Sequence, residues 1–568
     1  MAAWAAGLGL DDARELLARA RAPTRIVPGN ITFYPIRISE NLLRRGAELL
    51  ARGLRPRFRE ELLIEGNLLL HDTDMDIRLA DPLDVGEFLP WWDRWVAERA
   101  ARRAERPGDL LDGRGLWPRR LRHHALRLRD RYMVAVYAAV TVNLSHLASR
   151  IVFQALEAGR SEIGADLFHR MLYLAAKAVQ HGPGLHLHRS LINPEEYWGL
   201  VSGGECRGLE QLLETARQAG LLERAGGEYR FLDKLCQEHG IDEIRVENPL
   251  AVYANEVAPL RGVRRAVEGA FREAPSVAPA RLARLRFDDE VRSYEWDLAR
   301  FQGPEHEEVN RDEGEKRPGV PFLLLPKRPR ALGVLLVHGF SASPAEMLPF
   351  GERLVSASFA VLGVRLRGHG TSPWDLMERT WEDWFASVRR GYGIVRGLAD
   401  RVAVVGFSAG GCLALRLAAD RPGGLAGVAA VAAPVKVRDR GMRLVPLVHG
   451  ANRLVGSLGG RRLMTFHRSE PEHPDINYRH VPVRALYELG RLIDATRESL
   501  GEVRCPVLLV QGTEDPTVDP ESAEILYRGL GVKDKALVLI PSPRHGILLE
   551  NVGGTQERVL RFLEGLGG

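Results

Sequence analysis

A serine between two glycines offers the clearest chemistry in this chain. Residues 406–410 read GFSAG, the G-x-S-x-G pattern, after the apolar run 402–405 and before a helical pattern that begins near Cys412. A nucleophilic serine must project from a sharp strand-to-helix turn, and small residues two positions away let the backbone pass closely on both sides. The sequence therefore predicts Ser408 as a nucleophile at a helix N-terminus, whose positive end favours a developing oxyanion.

Two later apolar runs each lead into a loop with a candidate partner for this serine. PVLLV at 506–510 precedes Asp515, and ALVLI at 536–540 precedes His545. The order serine, acid, histidine is that of α/β-hydrolases. We expect His545 to act as general base and Asp515 to orient its imidazole, with Glu514 and Asp519 as rivals for the acid.

Amide donors for an oxyanion can also be located in the sequence. Such a site needs one N–H from the residue after the nucleophile and one from the loop after an early strand, which predicts Ala409 and Phe340. His338 and His369 precede the serine, so we expect them to shape loops rather than to act as the base. The chemistry is attack on an ester carbonyl through an acyl-enzyme, and it requires no metal or cofactor.

The elements that must position these residues are visible in the hydrophobic pattern after residue 321. Short apolar runs alternate there with amphipathic stretches, which predicts a doubly wound α/β domain with a mostly parallel sheet. The runs lie at residues 333–337, 359–366, 402–405, 428–432, 506–510 and 536–540. The candidate residues follow the C-terminal ends of these runs, where open α/β sheets bind their ligands.

The first 301 residues have another pattern and are predicted to be mainly helical. Strand-rich sequence occurs only near 31–37 and 64–79, whereas helix-period leucines and alanines occur at 150–158, 167–179 and 209–219. Residues 302–321 are charged, contain Gly and Pro, and lack apolar periodicity, which predicts a linker. The predicted domains are therefore residues 1–301 and 322–568.

Several motifs together resemble a known superfamily. They are LLVHGF, RLRGHGTSP, TWEDWFASV, VVGFSAGG, VLLVQGTEDPTVDP and SPRHGILLE. Over about residues 322–566 they resemble bacterial carboxylesterases and monoacylglycerol lipases of the α/β-hydrolase superfamily. The resemblance implies a small-molecule acyl ester substrate, of the acylglycerol or lysophospholipid type, and a cap at about 434–504. Apolar cap residues either line an acyl groove or only pack the cap: Met442, Leu444, Leu447, Leu454 and Leu458.

The N-terminal half carries a second resemblance. The segments IVPGNITFYPI at 26–36 and DTDMDIRLADPLDVGEFL at 72–89 are similar to the part of glycerol-3-phosphate acyltransferases that follows their catalytic blocks, over about residues 26–270. Those enzymes carry an H-x-x-x-x-D motif and a Phe-Pro-Glu-Gly block before this point, and neither precedes Val27. His71 and Asp76 fit the H-x-x-x-x-D spacing, but they follow the Val-Pro strand. We interpret this half as an acyltransferase remnant without its active site.

The segment from Arg94 to Arg131 is rich in arginine and lies near four tryptophans. The arginines are Arg99, Arg102, Arg103, Arg106, Arg114, Arg119, Arg120, Arg122, Arg127 and Arg129, and the tryptophans are Trp91, Trp92, Trp95 and Trp117. Such a segment is either a surface that contacts anionic lipid or a solvated helical face.

A nucleic-acid partner is not expected. The helix predicted at 209–219 and the hairpin that follows, with Gly226 and Gly227 at its turn, have the outline of a winged helix. DNA binding requires a basic recognition helix, and this helix is acidic to neutral. The net charge of +5 does not by itself indicate such a partner.

Composition places the chain in a reducing compartment. The four cysteines form no Cys-x-x-Cys pair, and the N-terminus lacks a basic region followed by a strong apolar core, so we expect a cytoplasmic protein. If the arginine-rich segment contacts lipid, that contact is at the inner face of the membrane. The longest apolar stretch, residues 132–144, is too short to span a bilayer and predicts a buried core helix.

Ester hydrolysis is the leading function that the sequence predicts. Two alternatives remain at this point. The first is acyl transfer through Ser408, or by the N-terminal region, to an alcohol other than water. The second is a non-catalytic, lipid-binding scaffold.

Overall fold

The computed structural model describes residues 24–34, 74–101, 116–240, 243–438, 445 and 465–567. Its internal contacts divide the chain into two compact units, Met1–Ser276 and Val277–Gly568. His71, Asp72 and the apolar cap residues 442, 444, 447, 454 and 458 lie outside the described residues.

The N-terminal unit is mainly helical, as predicted. Its described helices are α1 Trp91–Ala101, α2 Leu116–Ala138, α3 Leu144–Glu157, α4 Ala165–Gln180, α5 Arg189–Ile192, α6 Gly199–Ser202, α7 Arg207–Gln218, α8 Ile244–Glu247, α9 Pro249–Val257 and α10 Arg261–Glu273. Its strands are short: β1 Arg25–Ile26, β2 Gly29–Tyr34, β3 Asp74–Leu79, β4 Leu83–Asp84, β5 Thr141–Val142, β6 Glu162–Gly164, β7 His186–Leu187, β8 Leu222–Ala225 and β9 Glu228–Phe231.

The centre of this unit consists of α3, α4, α7, α9 and α10. Their apolar stripes are fully buried, for example at Ile151, Phe168 and Val267. The predicted helix and hairpin are confirmed as α7, β8 and β9, with Gly226 and Gly227 at positive φ in the turn. Strand β6 pairs with β9, so the sheet order is β6-β9-β8.

The prediction of one buried helix over residues 132–144 is wrong. The stretch contains the end of α2, strand β5 and the start of α3, and Val134 is 61% exposed whereas Val142 is fully buried. A continuous apolar run does not reveal where a helix ends and a strand begins. Among the helices that the structure describes, none combines the length and apolarity required to cross a bilayer.

The C-terminal unit contains a seven-stranded sheet with the order β10-β12-β11-β13-β14-β17-β18. The strands are β10 Phe322–Leu324, β11 Leu332–Val337, β12 Ala360–Val364, β13 Arg401–Phe407, β14 Leu425–Val431, β15 Phe466–Arg468, β16 His480–Pro482, β17 Val507–Gly512 and β18 Lys535–Ile540. All six predicted strands are confirmed and pair in parallel. The antiparallel edge strand β10 was not predicted.

Helices cover both faces of this sheet. The described helices of this unit are α11 Pro279–Arg300, α12 Glu307–Asp312, α13 Leu348–Ser356, α14 Pro373–Glu378, α15 Trp381–Arg396, α16 Ala409–Ala419, α17 Val483–Ser499, α18 Glu521–Gly529 and α19 Thr555–Leu566. Successive strand residues point to opposite faces, so Leu335 and Val337 join a core with α15, α16 and α17. Val334 and Leu336 join a second core with α13 and α19. Both faces of the sheet are buried beneath helices, which explains why its strands are continuous apolar runs in the sequence.

The boundary between the units lies earlier than the sequence predicted. Helix α11 belongs to the C-terminal unit, where Ala283 joins the core beside α15. Its Asp297 accepts hydrogen bonds from Arg365 at 2.7 Å and from Arg367 and Arg379. Composition did not reveal this because the contact is made by charged side chains.

The segment 302–321 also differs from the expected linker. It contains α12, and Glu313 is only 4% exposed. The Glu313 carboxylate accepts hydrogen bonds from the backbone N–H groups of Arg479 and His480 and pairs with Lys316 at 3.0 Å. Polar contacts rather than apolar burial order this segment.

Candidate active site

Ser408 lies on a sharp turn between β13 and α16. Its φ of 52° and ψ of −121° are unusual for a residue with a side chain. A Cβ on Gly406 would lie 2.1 Å from the Gly410 carbonyl oxygen, and a Cβ on Gly410 would lie 2.2 Å from the Val337 carbonyl oxygen. Both glycines are therefore required by close backbone approach, which is the reason for the G-x-S-x-G spacing.

The structure brings the three predicted residues into one hydrogen-bonded chain. His545 Nε2 lies 3.1 Å from Ser408 Oγ, and His545 Nδ1 lies 2.8 Å from Asp515 Oδ2. Asp515 is fully buried, whereas the His545 side chain is 15% exposed. The histidine thus contacts the serine on one side and a carboxylate on the other, which is the geometry of a nucleophile, a base and an orienting acid.

The surroundings of Asp515 keep its carboxylate charged. Burial by itself raises the pKa of Asp515, but the hydrogen bond and charge of His545 and the amides of Val518 and Thr517 outweigh it, so the pKa lies below its usual value. Gln511 Nε2 donates a further hydrogen bond to Oδ2 at 3.1 Å. An ionised Asp515 can hold the Nδ1–H tautomer of His545, which leaves Nε2 free to accept a proton.

The rival candidates lie elsewhere. Glu514 is exposed, and Asp519 accepts a hydrogen bond from Glu521 N at the start of α18. His338 Nε2 accepts from the Leu366 amide, and its ring lies 5.2 Å from that of His369. Both histidines are fully buried, and burial lowers the pKa of His369 to about 3, so its ring is neutral. They support the loops beside the sheet and do not contact Ser408.

The two predicted oxyanion donors flank the serine. Ala409 is the first residue of α16, and Phe340 follows β11 in the loop that packs against the serine turn. Within the described part of the chain, neither amide donates a hydrogen bond to another residue. Both N–H groups are therefore free to bind an oxygen that develops negative charge.

A pocket of about 440 Å³ opens above Ser408. Part of its wall is apolar and part is polar. The apolar lining comprises Phe340, Phe407, Val437, Val481, Leu486, Leu489 and Val518, and the polar lining comprises His467, Ser469, Glu470, Glu472, His473 and Asn477. An ester with an apolar acyl chain and a polar alcohol matches this division.

The segment after β15 also contacts the loop that carries His545. The Glu472 carboxylate accepts hydrogen bonds from the backbone N–H groups of His545 at 3.1 Å and Gly546 at 3.0 Å. Ligand atoms of Glu472, His473 and Glu550 lie within 4.8 Å of one another. Arg544 forms ion pairs with both glutamates, so the two carboxylates share a cationic partner within the protein.

Sequence reasoning missed three residues of the site: Gln511, Glu346 and Glu472. Gln511 had a weak signal, because it is a polar residue at the end of an otherwise apolar strand. Glu346 and Glu472 had no signal in the sequence, since each lies in a separate segment that only the tertiary structure brings to the site.

Comparison with known proteins places this fold and site in a family. The family model described as serine aminopeptidase, S33, matches residues 327–552. A thermostable monoacylglycerol lipase of Bacillus sp. (strain H-257) is 32% identical over 225 residues, which cover 39% of this chain and 84% of that protein. The chain belongs to the serine aminopeptidase S33 family of α/β-hydrolases.

Other members and structures are more distant. A carboxylesterase of Bacillus subtilis (strain 168) is 26% identical over 238 residues, covering 41% of this chain and 92% of that protein. The crystal structure of a Paleococcus ferrophilus monoacylglycerol lipase is 22% identical, with a TM-score of 0.36, and the match covers 44% of this chain and 97% of that one. The S33 match lies within the C-terminal unit, and the acyltransferase resemblance of residues 26–270 stays a prediction.

Proposed function

We propose that this protein hydrolyses carboxylic esters through an acyl-enzyme on Ser408. The observation that carries the proposal is the hydrogen-bonded chain Asp515–His545–Ser408 at the base of an open pocket. A monoacylglycerol lipase and a carboxylesterase among the relatives support an ester as substrate. Acylglycerol or lysophospholipid-type esters match the pocket, which has an apolar and a polar wall.

The first half of the reaction forms the acyl-enzyme. His545 Nε2 takes the proton of Ser408 Oγ as the oxygen attacks the ester carbonyl carbon, and Asp515 stabilises the resulting imidazolium. The amides of Phe340 and Ala409 donate hydrogen bonds to the oxyanion. The tetrahedral intermediate then collapses, and the alcohol leaves with the proton from His545.

The second half releases the acid. Water enters the position of the alcohol, gives a proton to His545 and attacks the acyl carbon. The oxyanion binds the same two amides, and the Ser408–acyl bond breaks as Oγ takes the proton back. Acyl transfer to an alcohol other than water uses the same steps, with that alcohol as the second nucleophile.

Hydrolysis of a chain-length series of p-nitrophenyl and monoacylglycerol esters tests this proposal. We expect turnover by the full chain and a loss on the order of 10⁶ in Ser408→Ala, because the nucleophile is removed. Because the family model is named for an aminopeptidase, amino-acid p-nitroanilides form the contrasting substrate set. Their hydrolysis without ester hydrolysis, or ester turnover that survives Ser408→Ala, would contradict the proposal. Product analysis with an added acceptor alcohol distinguishes hydrolysis from transfer.

We also propose that α1 and α2 contact an anionic membrane surface. Trp91, Trp92 and Trp95 are 71%, 50% and 45% exposed on α1, and exposed arginines follow on α2 at positions 119, 120, 122, 127 and 129. Buried Asp93 joins the two helices through His124 at 2.8 Å and Arg120 at 3.0 Å. Exposed tryptophans beside arginines suit the boundary between headgroups and acyl chains.

A further inference from the structure

A buried glutamate lies beside the oxyanion amides, and the reaction described above does not use it. Glu346 ends a short 3₁₀ turn after β11 and is only 5% exposed. Its Oε2 accepts a hydrogen bond from the backbone N–H of Gly339 at 2.6 Å. Gly339 directly precedes Phe340, whose amide is the proposed donor to the oxyanion.

Gly339 lies between the Glu346 carboxyl group and Ser408, so its surroundings show how close the two side chains are. A Cβ on Gly339 would lie 3.3 Å from Glu346 Oε2 and 3.4 Å from both Ser408 Cβ and the Phe407 ring. Glu346 also lines the pocket above Ser408. Among the described residues, its second oxygen, Oε1, has no hydrogen-bond partner.

We propose that Glu346 is a positioning residue for the oxyanion hole, which holds the His338–Gly339 peptide and through it aligns the Phe340 N–H of the next peptide, and which supports the oxyanion when protonated but opposes it when ionised. This inference rests on the proposed function. The hydrogen bond closes the loop from residue 339 to residue 346 and fixes the His338–Gly339 peptide, which directly precedes the peptide that carries the Phe340 N–H. An amide held in this way is aligned before the reaction begins.

The titration of Glu346 falls within the range in which such an enzyme works. Burial raises the pKa of Glu346 to about 7, against the opposing effects of the Gly339 amide and the charge of His545. The carboxyl group is therefore neutral below about pH 7 and ionised above it. Other titratable side chains around the same pocket are His467, Glu470, Glu472 and His473, and the neutral ring of His338 lies behind the loop.

Ionised Glu346 would act on two charges of the transition state in opposite directions. It would attract the His545 imidazolium and repel the oxyanion. The imidazolium already contacts the Asp515 carboxylate at 2.8 Å, whereas the oxyanion contacts only neutral amides. Gly339 N–H and Phe340 N–H are consecutive amides, so the glutamate and the oxyanion bind neighbouring N–H groups of the same loop. Repulsion of the oxyanion therefore dominates.

Three variants of the full chain test the inference. Glu346→Ala removes the acceptor, and we expect kcat to fall by about 10- to 100-fold with little change in KM, because a misaligned donor acts only in the transition state. Glu346→Gln keeps a carbonyl acceptor and cannot ionise, so it should restore most of the lost kcat. Glu352→Gln is the matched control, since Glu352 is exposed on α13.

The pH profile separates positioning from simple packing. For the wild type and Glu352→Gln, we expect kcat/KM to fall by about fivefold to tenfold above pH 7 as Glu346 ionises, and for Glu346→Gln we expect no such fall. Equal losses in the Ala and Gln variants, or the same alkaline fall in wild type and Glu346→Gln, would overturn the inference while ester hydrolysis stands. Thermal unfolding establishes that each variant is folded.

A second measurement does not depend on ester turnover. A fluorophosphonate forms an Oγ–P bond with Ser408 and releases fluoride, which places a phosphonyl oxygen at the oxyanion position. The labelling rate, followed by intact mass, should fall above pH 7 in the wild type, and this alkaline fall should be absent in Glu346→Gln. If Ser408 reacts with neither ester nor phosphonate, the proposed function and this inference both fail; if labelling occurs without ester turnover, only the substrate assignment fails.

Discussion

Ser408 occupies a backbone conformation that only its glycine neighbours make accessible. The turn between β13 and α16 brings Gly410 against the carbonyl groups that end β11, so the geometry of Ser408 depends on atoms outside the motif. The G-x-S-x-G motif therefore needs the packing of β11 beside β13 to hold Ser408 in place. A substitution can therefore disrupt the site without touching any polar group.

Gly410→Ala should destabilise the protein and abolish ester turnover. The new Cβ would lie 2.2 Å from Val337 O and 2.6 Å from His338 O, and backbone carbonyls cannot move aside as a flexible side chain can. We expect a loss of about 3 kcal/mol or more in the free energy of unfolding, measured by urea denaturation.

Gly423→Ala is the control for this substitution. No atom lies within 4 Å of a Cβ at that position, and we expect a change within about 0.5 kcal/mol. A similar effect of the two substitutions would contradict the argument from close backbone approach.

At the scale of elements, α11 is the part of the hydrolase unit that the sequence assigned elsewhere. Its buried face carries acidic groups that neutralise arginines of the catalytic unit. Asp297 contacts three arginines that are each less than a tenth exposed, and Glu290 contacts Arg390 at 2.7 Å. Asp375 is a second carboxylate beside Arg365 and Arg379, so Asp297 is one of two buried carboxylates that offset this buried positive charge.

Asp297→Ala should lower the free energy of unfolding by about 3–5 kcal/mol, because it removes one of the two buried carboxylates that offset the buried guanidinium groups. Asp288→Ala is the comparison, since the Asp288–Arg292 pair on the same helix is more exposed; we expect a loss of less than about 1 kcal/mol there. Chemical denaturation of both variants measures the difference. Equal free energies of unfolding for Asp297→Ala and Asp288→Ala would contradict a stabilising role for the buried ion pairs of α11.

At the scale of the whole molecule, the chain combines an S33 hydrolase unit with a helical unit that carries exposed tryptophan and arginine. The net charge of +5 is modest, but the exposed arginines of α2 concentrate positive charge locally. Concentrated charge beside apolar rings favours a surface that offers both negative headgroups and an apolar interior.

The full chain should bind vesicles that contain phosphatidylglycerol more tightly than vesicles of phosphatidylcholine. Because the attraction is between exposed charges, salt of about 0.5 M should weaken the binding. Co-sedimentation measures the bound fraction. Trp91→Ala/Trp92→Ala should reduce binding, while Arg528→Ala, on exposed α18 of the other unit, should not. A bound fraction that changes neither with salt nor in the tryptophan variant would contradict the proposal.

The sequence by itself determined the class of the C-terminal fold, and it predicted three residues, Ser408, Asp515 and His545, that the structure joins by hydrogen bonds. Parallel strands covered on both faces are continuous apolar runs, and the strand, serine turn and helix are adjacent in the chain, so local pattern is sufficient to find them. The order of Ser408, Asp515 and His545 follows from the same pattern.

Only the tertiary structure decided which polar side chains meet across long distances in the chain. It placed Asp515 rather than Glu514 against His545, buried Glu346 behind the oxyanion loop, and joined Asp297 to arginines about 70 to 80 residues away. These contacts depend on where a side chain points and on how far its polar atoms are removed from water. Neither property produces a periodic pattern in the sequence. The apolar pattern specifies the layers, whereas the packing of those layers selects the charges that can be buried between them.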